Sequence, residues 1–447
     1  MLYRKIKPQI MNWIENGKKA LLVTGARQIG KTYLIRECLK ESGVGYIEVN
    51  FIENPELVEV FSENATVEEI LFRLSMVYGN KLNGVKVIFF DEVQENKEIA
   101  TKIKFLVEDG TFKYIMSGSL LGVELEDISS APVGYMDTLN MYPMDLMEFF
   151  IAIGMSDEAL GRIRENYEKR EPVDEFAHNR LMDAFYTYLI IGGMPEAVQK
   201  YIDTNDMAQV SNVHKNIIKL YKLDFTKYEK IQKLLLREIY DRIPGELNAP
   251  NKRFMLNKLG KGMSYDRAEN SFLWLKDAGA ALPTYNVTEA SAPLKSSEKR
   301  NLFKLFLSDV GLLTSYYSDS VKLSIIKKDK NINNGALFEN VVAQELASKG
   351  FPLYYYNNKQ KGEVDFVIEK DGEVLPLEVK SGKDYKIHSA LNNLLDEKKS
   401  KIKEAFILGN GNVETSEKRI YLPIYMIMFL ENSVTVGKVK KIDLSDL

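Results

Sequence analysis

The octapeptide Gly25–Thr32, GARQIGKT, matches the pattern GxxxxGK[ST] at each fixed position: Gly25, Gly30, Lys31 and Thr32. A loop that wraps phosphate must turn its backbone N–H groups inward, and glycine permits that close approach. Ala26, Arg27, Gln28 and Ile29 supply the rest of that backbone. A helix starting at the loop adds its positive end. Lys31 brings a point charge for the β- and γ-phosphates, and the Thr32 hydroxyl is a magnesium ligand. Arg27 sits inside the loop, either on phosphate or in solvent. The second half of the site lies downstream. Val85–Glu92, VKVIFFDE, is an apolar run ending in two carboxylates. Asp91 is placed to hold magnesium, directly or through water, and Glu92 to polarise an attacking water. Ser117 and Ser119 end the next apolar run, where a hydroxyl either senses the γ-phosphate or simply forms a turn. Lys31 and Glu92 are thus the candidate catalytic residues, and ATP or another nucleoside triphosphate with Mg2+ is the expected ligand.

A second constellation lies near the C-terminus. Strand alternation puts Val364, Phe366 and Ile368 on one face and Asp365 on the other. In the following strand Leu375, Leu377 and Val379 share a face, opposite Glu378 and Lys380. Pairing of the apolar faces brings Asp365, Glu378 and Lys380 to one side, and Glu339 lies upstream on a helix. Such a set can hold magnesium and activate a water against a phosphodiester. An amphipathic hairpin with an ordinary wet face gives the same pattern, so both readings stand. Residues 359–403 carry many lysines and similarly many acidic residues, so no basic channel is evident.

The elements that must position these groups follow from hydrophobic pattern. Ala20–Thr24, Gly45–Phe51, Val85–Phe90 and Phe112–Met116 read as strands buried on both faces. Helical stretches separate them, which implies a doubly wound α/β sheet with ligands at the strand C-terminal ends. We divide the chain into a P-loop core at 1–150, a helical lid at 151–245, a winged-helix-like segment at 246–320 and a separate α/β domain at 321–447. The lid follows from helical periodicity around Leu181–Ile191 and Ile231–Tyr240. Ser264 is the expected N-cap of a helix over Tyr265–Ala278, followed by the extended LPTYNV. Winged helices bind DNA or serve only as packing units. In the last domain Ala336–Leu346 reads as a helix, and a turn at Asp371-Gly372 joins two strands.

Composition sets the outer limits. The chain has 447 residues, 45% hydrophobic and 28% charged, with a net charge of −3. That balance is globular, and the chain as a whole is not a basic nucleic-acid binder. A DNA or a protein partner for the C-terminal domain stays open. Cys38 is the single cysteine, which excludes an intramolecular disulfide and a cysteine zinc site and suggests a core residue. No apolar run reaches the roughly 18 residues of a membrane span, and no secretory signal is visible. A cytoplasmic address without membrane association is the expectation.

The ordered series of motifs resembles a known family. GARQIGKT, FFDEVQ, the SGS of Ser117–Ser119, MYPMDLMEFF, YLIIGGMPEAV, KDAGAALPTYNV, FKLFLSDVGLL, GALFENVVAQEL and GEVDFVI with LEVKSG run through nearly the whole chain. The chain is similar to the prokaryotic AAA-type ATPases that carry a C-terminal domain of unknown function with a restriction-endonuclease-like core. That resemblance implies an AAA+ core, a lid, a winged-helix-like segment, ATP binding and hydrolysis. It also implies that Glu339, Asp365, Glu378 and Lys380 match the PD-(D/E)xK pattern. One departure stands out. Similar sequences have Arg or Lys where this chain has Tyr135. If that residue touches phosphate, hydrolysis is slow here or Arg162, Arg164 or Arg180 substitutes.

Overall fold

The computed structural model describes residues 2–118, 134–225, 230–382, 386, 388–396 and 401–432. The expected P-loop strands form as β1 (Ala20–Thr24), β2 (Gly45–Asn50), β3 (Val85–Asp91) and β4 (Lys113–Ser117). A further strand, β5 (Met136–Asn140), escapes sequence reading because it is a polar edge strand, mostly exposed. All pair in parallel, in the order β2-β3-β4-β1-β5. β4 therefore lies between the strand that leads into the P-loop and the strand that ends at Asp91. Helices α1 (Lys7–Asn16), α2 (Lys31–Ser42), α3 (Val67–Tyr78) and α4 (Lys97–Asp109) belong to this region. Cys38 is buried in α2, as expected of a core residue.

Past the sheet, Asp145 and Glu148 form a reciprocal cap on α5 (Leu146–Ala152). The next described helices are α6 (Asp157–Lys169), α7 (Glu175–Ile191), α8 (Pro195–Thr204), α9 (Met207–Asp224) and α10 (Lys230–Leu247). Then comes α11 (Tyr265–Asp277), which starts at Ser264, although the Ser264 side chain makes no cap hydrogen bond. Two strands follow, β6 (Ala281–Val287) and β7 (Glu298–Leu307), and two short helices, α12 (Val310–Thr314) and α13 (Asp319–Ile326).

The C-terminal region holds α14 (Gly335–Ser348), β8 (Tyr354–Asn358), β9 (Gly362–Lys370), β10 (Glu373–Val379), α15 (Ser389–Leu395), β11 (Ala405–Gly409), β12 (Glu414–Ser416) and β13 (Arg419–Pro423). Its strands are continuous with the preceding hairpin. The eight-stranded order is β12-β13-β11-β10-β9-β8-β6-β7, with β6 parallel to β8. The extended LPTYNV, expected as part of a winged-helix-like segment, is thus built into the C-terminal sheet as β6. The expected division between 320 and 321 crosses this sheet and marks no break in it.

The packing also departs from the wet-face alternative. Leu375 pairs with Ile368 and Leu377 with Phe366, as the apolar-face argument requires. On the other side Val367 and Val374 pack with Leu391 and Leu394 of α15 in a separate core. Both faces of the hairpin are covered. The main core runs from Ile10 through the lid helices to Leu430, so the regions share one apolar interior.

Two motifs far apart in sequence meet at a tight spot. A side chain at Gly193 would place its Cβ 1.9 Å from the Met144 carbonyl oxygen. The Gly193 N–H donates to Asp309 at 2.6 Å, and burial pushes that carboxyl up to about 6. Asn340 of α14 is fully buried and closes another junction: it accepts from Leu307 N–H and donates to the Leu307 carbonyl, both at 3.0 Å. Asn340→Leu strands both backbone groups, so stability should fall by about 2–6 kcal/mol. The check is the urea unfolding midpoint, and an unchanged midpoint would contradict this account of the junction.

Candidate functional site

The P-loop is held in its shape before any ligand arrives. Gly25 has φ 135°, and a Cβ there would meet the Met141 carbonyl oxygen at 2.1 Å. Gly30 has φ 86° and opens α2; its need is conformational, since nothing lies closer than 3.9 Å to a Cβ there. Between them Gln28 takes a left-handed conformation with φ 62°, uncommon for a residue with a side chain. Lys31 is buried, and its ammonium donates to the carbonyls of Gly25 at 2.9 Å and Ala26 at 2.8 Å.

Asp91 gathers the strand ends. Its carboxylate accepts from the Thr32 hydroxyl at 3.0 and 3.2 Å, from the Asn50 amide at 3.1 Å and from the Ser117 hydroxyl. Burial raises the Asp91 carboxyl above its ordinary value; the Ser117 hydrogen bond opposes this and the Glu92 charge adds to it. Thr32 and Asp91 are adjacent oxygen donors, which suits a magnesium ion that takes its remaining ligands from phosphate and water. Glu92 has φ 55°, and its carboxylate accepts from the Gln94 amide. Ser117 therefore sits beside the expected metal position, while Ser119 lies outside the described residues.

Three other segments clasp the loop. Arg27 forms an ion pair with Asp224 of α9 at 2.6 Å, and the Tyr221 hydroxyl donates to the Arg27 carbonyl at 3.2 Å. The Arg27 side chain is thus held by a lid carboxylate. Arg4, also buried, donates to the carbonyls of Ile29 and Tyr142 at 2.9 and 2.5 Å. Gly279, at the turn between α11 and β6, approaches Ala26 so closely that a Cβ would lie 2.9 Å from its nitrogen.

Tyr135 is not at the phosphate end. Its carbonyl accepts from Ala20 N–H, at the first residue of β1, and the P-loop follows the last. Four steps along a strand separate them by about 13 Å. The Tyr135 hydroxyl donates instead to Glu108. Arg162 pairs with Glu158 one turn back, Arg164 pairs with Glu431, and Arg180 is exposed on α7.

The C-terminal residues do converge. Lys380 pairs with Glu378 at 2.8 Å, and Asp365 accepts from Val379 N–H at 2.8 Å. Burial, then Glu339 and Glu378, push the Asp365 carboxyl upward. Sequence reasoning missed the cations that join them: Lys304 of β7 pairs with Glu339, Glu363 and Asp365, and Lys252 pairs with Glu339. A lone lysine in FKLFLSD gives no periodic signal. Asn50 was within reach, because it ends β2 as Asp91 and Ser117 end their strands. Among the described residues, no group of three or more His, Cys, Asp and Glu side chains is placed to hold a metal ion. No described helix is long and apolar enough to cross a membrane.

With this geometry in place, comparison with known proteins is informative for the first third of the chain. Residues 17–150 match the model of a family described as an AAA domain. This segment is a P-loop AAA-type ATPase domain. Residues 182–322 and 334–427 match two domains of unknown function, DUF8612 and DUF4143. No curated protein matches the chain. Among solved structures the chain is similar to a Walker-type ATPase of Pyrococcus abyssi, at 16% identity and TM-score 0.43 over 70% of this chain and 95% of that one. It is also similar to PCH-2 of C. elegans, at 15% identity and TM-score 0.28 over 49% of this chain and 69% of that one. A third is Drosophila ORC bound to DNA, at 13% identity and TM-score 0.29 over 73% and 95%. Overlays this loose carry no argument about the chain.

Lys31 is a titratable group whose state matters for nucleotide binding. Burial pushes the Lys31 ammonium down from 10.5 to about 8, against the pull of Glu92 and Asp91. Between those values the unfolded chain holds the proton and the empty fold does not, so the empty fold gains stability as pH rises through that window. Phosphate requires the charged form. Affinity for MgATP should therefore fall about tenfold per pH unit above 8, with proton uptake on binding. Calorimetry at pH 9 in two buffers of different ionisation enthalpy reads that uptake; heats independent of buffer would contradict it.

Proposed function

We propose that this protein is a magnesium-dependent ATPase whose nucleotide state moves the lid helices relative to the ATPase domain and the C-terminal sheet. The observation that carries the reading is Asp91, buried at the end of β3 and bonded to Thr32, Asn50 and Ser117 beneath a complete P-loop. Thr32 and Asp91 are the residues that would hold the metal. Bound Mg2+ would supply positive charge that offsets the charge on the phosphates. Lys31 exchanges its two loop carbonyls for phosphate oxygens. Glu92 leaves Gln94, orients a water toward the γ-phosphorus and takes its proton as the bond to the β–γ bridging oxygen breaks. Ser117 is placed to report the metal ligand's state.

The lid coupling rests on Arg27. Its backbone belongs to the phosphate loop, and its side chain is held by Asp224 on α9. A shift of the loop on binding therefore pulls on the lid directly. A partner for the C-terminal part, DNA or a protein, is the remaining component of this reading.

Glu92→Gln should lower kcat for ATP by about 10²–10⁴-fold with nucleotide affinity little changed. Lys31→Ala should remove binding. Wild-type turnover in the Glu92 variant, or unchanged ATP affinity in the Lys31 variant, would sink the assignment. The same assay with added DNA separates the partner classes: stimulation points to nucleic acid, indifference to protein.

A further inference from the structure

Lys304 is an ammonium ion with no access to solvent. Its Nζ lies 2.9 Å from Glu363 Oε1, 3.3 Å from Glu339 Oε2 and 3.8 Å from Asp365 Oδ1. The Tyr355 ring lies on another side, 5.2 Å from Nζ to its centroid. The carboxylates around it are engaged at their other oxygens too. Glu339 Oε1 pairs with Lys252. Glu363 Oε2 accepts from Arg253 at 3.2 Å and Asn357 at 2.7 Å. Asp365 Oδ2 accepts from Val379 N–H, and Glu378 Oε1 pairs with Lys380.

Charge and coordination lead to the same place. Glu339, Glu363, Asp365 and Glu378 face Lys252, Arg253, Lys304 and Lys380, so each negative charge has a protein cation. A hard divalent ion wants about six oxygens at roughly 2.0–2.6 Å. In this cluster Glu378 Oε2 is buried without a hydrogen-bond partner, and Asp365 Oδ1 faces the Lys304 ammonium at 3.8 Å, beyond hydrogen-bond reach. Two carboxylate oxygens, one of them facing an ammonium, fall well short of that number. The residues present do not fit the metal that a PD-(D/E)xK centre uses.

We propose that Lys304 is a built-in cation that fills this carboxylate cluster in place of a divalent metal, so that the C-terminal domain takes no catalytic metal and cuts no phosphodiester. The ammonium ties β7 to α14 and β9, and the role left to this end of the molecule is binding. This inference stands apart from the ATPase reading, because it concerns residues that the ATPase domain does not contain.

The test is Mn2+ binding to the full chain without nucleotide, followed by electron paramagnetic resonance. Wild type, Asp365→Asn and Glu378→Gln are compared, with Lys304→Met alone and combined with Asp365→Asn. Wild type and both carboxylate variants should take up the same Mn2+. Lys304→Met should gain one site, lost again in the double variant. Mn2+ uptake by wild type that disappears in Asp365→Asn or Glu378→Gln overturns the proposal. So does metal-dependent cutting of single- or double-stranded DNA that Asp365→Asn abolishes. A folded Lys304→Met that gains no site also overturns it. If that variant does not fold, the comparison of wild type with the carboxylate variants decides alone. ATP turnover in the same samples reports separately on the ATPase domain.

Discussion

The structure depends on one helix that is buried all round and must still satisfy its polar side chains. Every residue of α14 from Ala336 to Ala347 is buried. Glu339 meets Lys304 of β7, and Asn340 spans both backbone groups of Leu307. Gln344 accepts from Val310 N–H and donates to the Tyr188 hydroxyl of the lid. Glu345 accepts from Leu146 N–H, at the start of α5 beside the ATPase sheet. In so dry a setting an unmade bond costs more than a made bond gains. The helix therefore has essentially one seat, and it ties the C-terminal sheet to α7 of the lid and to the start of α5.

That fixation gives the P-loop its character. The loop is gripped by Arg4 from the N-terminal segment, by Tyr221 and Asp224 from the lid and by Gly279 from the turn ahead of β6. Its own lysine occupies its own carbonyls. Nucleotide capture is thus an exchange of partners within a preformed cradle. Whatever moves on exchange is felt first where Arg27 meets α9.

How much of this was legible depended on how local the signal was. The P-loop, the strand ending in Asp91 and the Ser117 strand end are short-range patterns, and they lie where sequence placed them. Asp365, Glu378 and Lys380 were also brought together, although alternation does not hold through β9: at a register shift against β8, Val364 joins the core of Val367 and not that of Phe366 and Ile368. Partners from elsewhere in the chain were invisible. Lys304, Lys252, Asp224 and Arg4 approach through pairings that no window of sequence contains. The alternative of an ordinary wet face did not hold, because α15 covers Val367 and Val374, and a covering helix leaves no mark on the strand beneath. Helix α14 was found, yet its central place was hidden: a helix buried on every side carries no amphipathic stripe.

The eight-stranded sheet has a consequence for synthesis. Strands β6 and β7 leave the ribosome well before β8, yet β6 has β8 as its second neighbour. Until residues 354–358 emerge, the nascent chain carries an open strand edge, Ala281–Val287, with nothing to pair against. Such an edge is a template for pairing with the wrong chain. The intervening α14 must also wait, since its seat includes β10 as well as β6 and β7. Completion of the fold is thus a late, near-simultaneous event, and the nascent chain is most exposed to aggregation just before its last domain appears.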